Sequence, residues 1–336
     1  MANLRSKPSW EIPERHVTPE KFFWNRRQFL RQLGFASSAT LGAFVAGCDG
    51  AKPEAVAAPK PGAKPSEDPN ASTVALSKYP AARNPEFNIP GRVTDQKEAA
   101  TYNNFYEFTT LKNGVNRLTH GFTIAPWQVE VSGLVEKPLR LDAEELISMM
   151  PLEERVYRFR CVEAWAMIVP WTGFPLAKLL EKVQPKPEAK FVRFVSFNRP
   201  DQAPGMRDTS YPWPYTEGLR LDEAMNPLTL VGAGIYGKPL PKQHGAPLRM
   251  VVPWKYGYKS IKSIVKIELV EKQPATLWET LAPDEYPFES NVNPAVPHPR
   301  WSQATERLID SGDRVRTQLY NGYGSYVAKL YGGNKG

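Results

Sequence analysis

Residues 157–165 read Tyr157-Arg158-Phe159-Arg160-Cys161-Val162-Glu163-Ala164-Trp165, and Pro170-Trp171-Thr172-Gly173-Phe174-Pro175 follows shortly after. From Arg155 to Cys161 polar and apolar residues alternate, the pattern of a strand. The chain has 336 residues and 2 cysteines, and the second, Cys48, lies in or beside an amino-terminal targeting segment. Cys161 therefore stands as an unpaired thiol. One account makes it a small buried hydrophobe at a strand end. The other makes it a thiolate, favoured by the flanking arginines and able to ligate a metal or attack an electrophile. A nucleophilic role would call for a histidine base, and His120 and His244 carry no recognisable partner motif. Glu163 is open in the same way: it either orients a water or passes a proton, or forms a salt bridge with Arg158 or Arg160.

Outward from this stretch the chain is aromatic-rich from about Ala99 to Gly333, enough for one domain with a single core. Strands are expected at Trp127–Val131, Arg155–Cys161, Phe191–Phe197, Leu248–Val252 and Ile264–Val270. Asp142 caps a short helix ending near Met150, and a second helix spans Pro175–Val183. The class is α+β, strand-rich with short helices and long loops. Gly232-Ala233-Gly234-Ile235-Tyr236-Gly237 matches a dinucleotide fingerprint, but Pro239 and Pro241 forbid the helix it must open, so these glycines are expected to form a turn.

The amino terminus reads as an address. Arg26-Arg27-Gln28-Phe29-Leu30 precedes a weakly apolar stretch from Leu33 to Val45, too short to span a bilayer, which takes ~20 residues. Residues 1–47 resemble a twin-arginine signal peptide, which implies passage through the twin-arginine export machinery to the periplasm. Cleavage is placed at 47 or as late as 57, since Ala55-Val56-Ala57 suits an ordinary site, while Val45-Ala46-Gly47-Cys48 resembles a lipobox that would anchor Cys48 in the membrane. Residues 48–98, with eight prolines between Asp49 and Pro90, are expected to form a Pro/Ala-rich disordered linker, leaving 99–336 as the folded domain. The formal charge of +8 comes from 43 Lys+Arg against 35 Asp+Glu. Half of that excess sits in residues 1–47, which hold 7 basic and 3 acidic residues. No basic run interleaved with aromatics occurs, so nucleic acid is not an expected partner.

The segment Arg160–Trp165 with Pro170–Pro175 resembles the cofactor-ligating segment of sulfite-oxidase-fold molybdoenzymes, and among them the catalytic subunits of the periplasmic protein-methionine-sulfoxide reductases. Tyr102–Phe108, Glu217–Met225, Gly245–Arg249, Val252–Gly257 and His298–Arg307 carry the same resemblance. It implies a sulfite-oxidase-type molybdopterin-binding fold in which Cys161 ligates molybdenum beside a single molybdopterin. Asn103, Tyr106, Glu107, Ser196, His244, Arg249, Ser260, Ile261 and Lys262 would hold the pterin and its phosphate. Ser196 stands where the family has Thr and His244 where it has Asn, and both can still hydrogen-bond. The implied activity is removal of oxygen from methionine sulfoxide in oxidised exported proteins, with electrons from a membrane haem-containing subunit. The arginines that follow the ligating cysteine of sulfite oxidases are absent here, which sets sulfite oxidation, or reduction of small S- or N-oxides, behind that activity. A non-catalytic exported lipoprotein is the remaining alternative.

Overall fold

A computed structural model describes residues 68–333. The expected signal peptide, Cys48 with both cleavage alternatives, and the first part of the expected linker lie outside the described residues.

Two sheets carry the fold. In the first, β1 (Arg83–Asn88), β4 (Glu153–Arg160), β5 (Trp165–Pro175), β12 (Thr305–Leu308) and β13 (Arg314–Arg316) lie in that spatial order, with β8 (Leu230–Ile235) also paired to β5 and bridging to β9 (Lys238–Pro239) and β10 (Arg249–Val251). The second has the order β3 (Leu139–Asp142), β2 (Gln128–Gly133), β11 (Ile264–Val270), β6 (Phe191–Ser196) and β7 (Thr216–Arg220). Both sheets are mixed, with β11 parallel to β2 and antiparallel to β6. The helices are short: α1 (Gln96–Thr101), α2 (Val115–Leu118), α3 (Ala143–Ser148) and α4 (Leu176–Val183) come first along the chain. Among the described residues no helix is long and apolar enough to cross a membrane.

Local chemistry accounts for several elements. The Asp142 carboxylate accepts from the Glu144 N–H at 2.9 Å and caps α3 as its sequence requires. The burial of α4 falls on Leu176, Leu179, Leu180 and Val183, the i, i+3, i+4, i+7 face of a helix. β5 differs in kind, because its first ten residues are all buried. A strand covered on both faces shows no period-2 alternation, so it escaped the sequence pattern. At β8 the expectation is corrected in part. Gly232 and Gly234 are strand residues, not a turn, and only Tyr236 and Gly237, both at positive φ, make the reversal. Gly173 pairs with Gly232 across β5 and β8, so close to the β8 backbone that a Cβ on Gly173 would strike the Val231 carbonyl, while one on Gly232 would press on the Val251 and Arg249 side chains.

The linker boundary also moves. Residues 68–98 belong to the same compact unit as the remainder of the described chain. β1 runs parallel to β4, Arg83 opposite Glu154 and Asn88 opposite Val156. Phe87 is buried edge-on to Tyr157 with the Arg155 guanidinium 4.0 Å above its ring. Tyr79 donates to the Ala233 carbonyl at 2.6 Å, and Asn70 is buried against α2, donating to the Asn116 carbonyl. A proline-rich composition disfavours helix and central strand, but edge pairing uses backbone groups that composition does not reveal. Replacing Phe87 with Ala is expected to cost about 3 kcal/mol. Urea unfolding checks it, since a segment that were truly a tether would leave the midpoint where it is.

Candidate active site

β4 and β5 form an antiparallel hairpin whose last paired residues are Arg160 and Ala166. Its turn is Cys161–Ala164, closed by the Cys161 N–H donating to Trp165 O at 2.9 Å and the Ala164 N–H donating to Cys161 O at 3.1 Å. Ala164 sits at φ 63°, a left-handed conformation that a residue with a Cβ adopts only when its surroundings impose it. Those surroundings are explicit. Trp301 Nε1 and Gln303 Nε2 both donate to Val162 O at 2.7 Å, and the Arg307 N–H donates to Ala164 O at 2.9 Å.

Alternation along β4 sends Arg158 and Arg160 to one side. Both engage Glu306 of β12, which is fully buried; the Arg160 Nε contact is 2.9 Å. The sequence expectation that these arginines ionise Cys161 is corrected. Burial pushes the thiol far above its ordinary range and nearby Glu163 pushes it further, while Arg160 and Lys112 offset only part of this. Without a metal the thiol keeps its proton. Glu163 does form an ion pair, but with Lys112 at 2.9 Å and not with the arginines. Burial raises its carboxyl, yet hydrogen bonds from Asn104 Nδ2 at 3.0 Å, Lys112, and Trp165 Nε1 at 3.1 Å outweigh that and hold it below its ordinary range. Glu163 is thereby a fixed carboxylate with its oxygens occupied by donors.

A pocket of about 870 Å³ opens beside this turn. Its walls include Asn103, Tyr106, Glu107, Cys161, Glu163, His244, Arg249, Ser260, Ile261 and Lys262, so ten of the expected site residues meet in one place. Ser196 is the exception. It is buried outside the lining, and its hydroxyl donates to Lys262 O at 2.9 Å, supporting the lysine from behind. Asn104, Lys112 and Trp165 were missed as site residues. Asn104 and Trp165 stood inside the quoted motifs, whereas nothing in the sequence marks Lys112 as a neighbour of Glu163.

The segment Asn103–Glu107 is held by Phe105, packed 4.8 Å from Phe108 in an aromatic cluster, and by the Met206 N–H on Glu107 O. At Gly245 the chain turns at φ 96° against Lys262, and a Cβ there would lie 2.7 Å from the lysine side chain. Across the pocket floor Arg249 is buried and Lys262 half-buried, and among the described residues neither has a carboxylate at ion-pair distance. Arg249 donates to His244 O at 2.9 Å, Ser260 O at 3.0 Å and Met250 O at 3.1 Å. Lys262 donates to Asn104 O at 2.9 Å and Gln243 O at 2.8 Å. Burial draws Arg249 down to about 9 and Lys262 well below its ordinary value, and His244 follows under burial and the nearby cations. Among the described residues no donor reaches the buried side-chain carbonyl oxygens of Asn103, Asn104 and Gln243. Two uncompensated cations beside orphaned acceptors are the complement of a ligand that carries an anion and N–H or O–H groups, as a pterin phosphate does.

Glu107 supplies a pH signature. Its carboxyl, fully buried, is raised from 4.5 to about 7 by burial, partly opposed by its own backbone N–H, Lys262 and Ser196. A raised carboxyl binds its proton more tightly in the folded state, so it costs nothing below pH 4.5 and destabilises as pH climbs towards 7. Relative to Glu107→Gln, the cofactor-free protein should lose about 3 kcal/mol across that window. Urea midpoints of the two proteins at pH 4.5 and 7.5 measure it, and parallel shifts would contradict it.

Residues 117–278 match the family described as "Oxidoreductase molybdopterin binding domain". The chain is 48% identical over 327 residues to the "Protein-methionine-sulfoxide reductase catalytic subunit MsrP" of Burkholderia mallei, covering 96% of this chain and 94% of that one. It is 47% identical over 328 residues to the protein of the same name from Xanthomonas axonopodis pv. citri, covering 96% and 95%. Among solved structures, the sulfane dehydrogenase SoxCD of Paracoccus pantotrophus aligns over 55% of this chain and 45% of its own, at 18% identity and a TM-score of 0.42. With its strand-rich α+β domain, the chain belongs to the protein-methionine-sulfoxide reductase catalytic subunits, molybdopterin-binding oxidoreductases.

Proposed function

We propose that this protein repairs oxidised exported proteins in the periplasm by removing the oxygen of methionine sulfoxide, using one molybdenum held by one molybdopterin. The observation that carries this reading is the turn at Cys161, which presents a soft thiol to the same pocket that holds the uncompensated cations Arg249 and Lys262. Cys161 would hold the metal as thiolate. Arg249 and Lys262 would hold the pterin phosphate, with Asn103, Tyr106, Glu107, His244 and the Ser260–Lys262 segment along the cofactor and Ser196 bracing it. When bound, that cofactor supplies the two-electron chemistry at the sulfoxide oxygen. Sulfoxide, two electrons and two protons give thioether and water, and the electrons come from a membrane haem-containing partner reached after twin-arginine export.

The residues divide the remaining work. Tyr106 lines the pocket and its hydroxyl makes no hydrogen bond to the described residues. Burial first, then the negative charge of Glu163, keeps the phenol protonated. It is the free donor available to the sulfoxide oxygen. Glu163, locked by three donors, cannot release a proton it does not hold; it fixes Asn104 and Trp165 and places negative charge beside the cysteine. That charge repels sulfite, and the cation nearest to it, Lys112, is neutralised by Glu163. A neutral, polar sulfoxide meets no such penalty.

Cys161→Ser is expected to purify without molybdenum and without turnover of an oxidised, methionine-rich protein by reduced viologen dye. Metal analysis and dye oxidation read the two effects, and a Ser variant with full metal content would overturn the ligand assignment. Tyr106→Phe keeps its metal and should lower kcat on methionine sulfoxide by about 10²-fold; an unchanged kcat would remove the proton-donor role.

A further inference from the structure

Beyond the first pocket lies a second cavity of about 650 Å³ that shares Tyr102, Glu163 and Trp165 with it and adds Lys112, Trp301, Arg307 and Arg314 to the wall. Its lining runs from Glu163 and Ala164 of the turn to the exposed Arg314, so this cavity lies between the turn and the surface at β13. Its electrostatics differ from those of the inner pocket. Lys112 is neutralised by Glu163, whereas Arg307 and Arg314 meet only neutral groups: Arg307 donates to the Tyr102 hydroxyl and Arg314 to the Thr305 hydroxyl, each at 3.3 Å. Among the described residues neither has a carboxylate partner.

The register sharpens this. Arg307 of β12 and Arg314 of β13 sit directly opposite one another in the antiparallel pair. Like charges facing across two strands destabilise the pairing, and β13 is the last strand of its sheet, with Arg314 and Arg316 exposed. An uncompensated arginine pair at the mouth of an active site matches a carboxylate arriving from outside, which Arg binds through two parallel hydrogen bonds. The backbone of Arg307 is itself bonded to Ala164 O, so the pair stands within a few residues of the reacting centre.

We propose that Arg307 and Arg314 form a docking subsite for an acidic side chain on the substrate polypeptide, selecting methionine sulfoxides that have Asp or Glu a few residues away. Trp301, half-buried in the same wall, offers the apolar surface beside it. This deepens the proposed function and rests on methionine sulfoxide in proteins being the substrate.

The test compares peptides that carry one methionine sulfoxide flanked by Glu, Gln or Lys, turned over by the molybdenum-loaded full chain with reduced viologen. At low ionic strength kcat/KM should favour Glu over Lys by about 10-fold, chiefly through KM, and the preference should shrink as salt screens it. Arg314→Glu, at an exposed position, should invert the order, and Arg307→Gln should flatten it. The salt titration of the unaltered protein needs no variant to fold. A Glu-to-Lys ratio within twofold of one at low salt overturns the subsite. So does a charge reversal that leaves peptide preference intact and slows reduction by the electron-donating partner, for the hairpin would then belong to that partner. If no methionine-sulfoxide peptide of any flank is turned over while small S- or N-oxides are, the proposed function itself has failed, and the subsite with it.

Discussion

Glu306 carries a carboxylate with no exposure to solvent, and the two arginines that neutralise it, Arg158 and Arg160, come from the last residues of β4. An isolated charge at that depth would be costly, and removing either partner of such a buried pair typically leaves a penalty of about 3–5 kcal/mol. The pairing therefore clamps β12 to the end of the β4–β5 hairpin. Arg160 also donates to Cys161 O and to Gln303 Oε1, and Gln303 in turn donates to Val162 O. A left-handed Ala164 in a four-residue turn is tolerable because this network fixes the carbonyls of Cys161, Val162 and Ala164. The position of Cys161 is thus a consequence of charge neutralisation on the opposite face of the same strand.

Inside the pocket the opposite situation holds. Arg249 is buried nearly as deeply as Arg160 and Lys262 is half-buried, yet among the described residues their direct partners are carbonyl oxygens and aromatic faces: Arg249 lies 4.8 Å from the Trp171 ring and Lys262 4.6 Å from that of Phe105. Where a fold could neutralise its cations, as it does with Lys259 on Glu217 and Lys255 on Glu223, leaving two of them bare is a stability cost that a bound anion would recover. The contrast between these pairs, all within one domain, is what makes the pocket floor stand out from ordinary buried ion pairing.

Much of this was legible in the chain, and the failures have physical causes. The Cys161 motif, the Asp142 cap and the α4 face are local patterns that survive without tertiary information. Pro239 and Pro241 sufficed to reject the glycine fingerprint, although Gly232 and Gly234 proved to be strand residues packed against Gly173. Properties set by strangers in sequence were not legible. Adjacent arginines suggested a thiolate, but strand alternation delivers them to Glu306, and the thiol is left with burial and Glu163. Lys112, which claims Glu163, is distant in sequence and ordinary in composition. Residues 68–98 looked like a tether because their docking depends on backbone pairing and one buried ring, Phe87, which no periodicity announces.

The distribution of charge along the path to Cys161 bears on what can approach it. Among the described residues the pocket floor has two cations without an ion-pair acid, the turn a carboxylate saturated with donors, and the mouth an arginine pair without an ion-pair acid. A small dianion would be drawn to the mouth and then rejected at Glu163. A neutral sulfoxide crosses that layer without electrostatic cost, and if it is part of a longer acidic chain, the mouth retains the chain while the sulfoxide goes in. Discrimination of this kind separates attraction from reaction: the charges that gather substrate are displaced from the charge that filters it. It follows from the order in which β4, the turn and the β12–β13 hairpin are bonded together, because backbone hydrogen bonds link Arg307 to Ala164 and Ala164 to the Cys161 carbonyl.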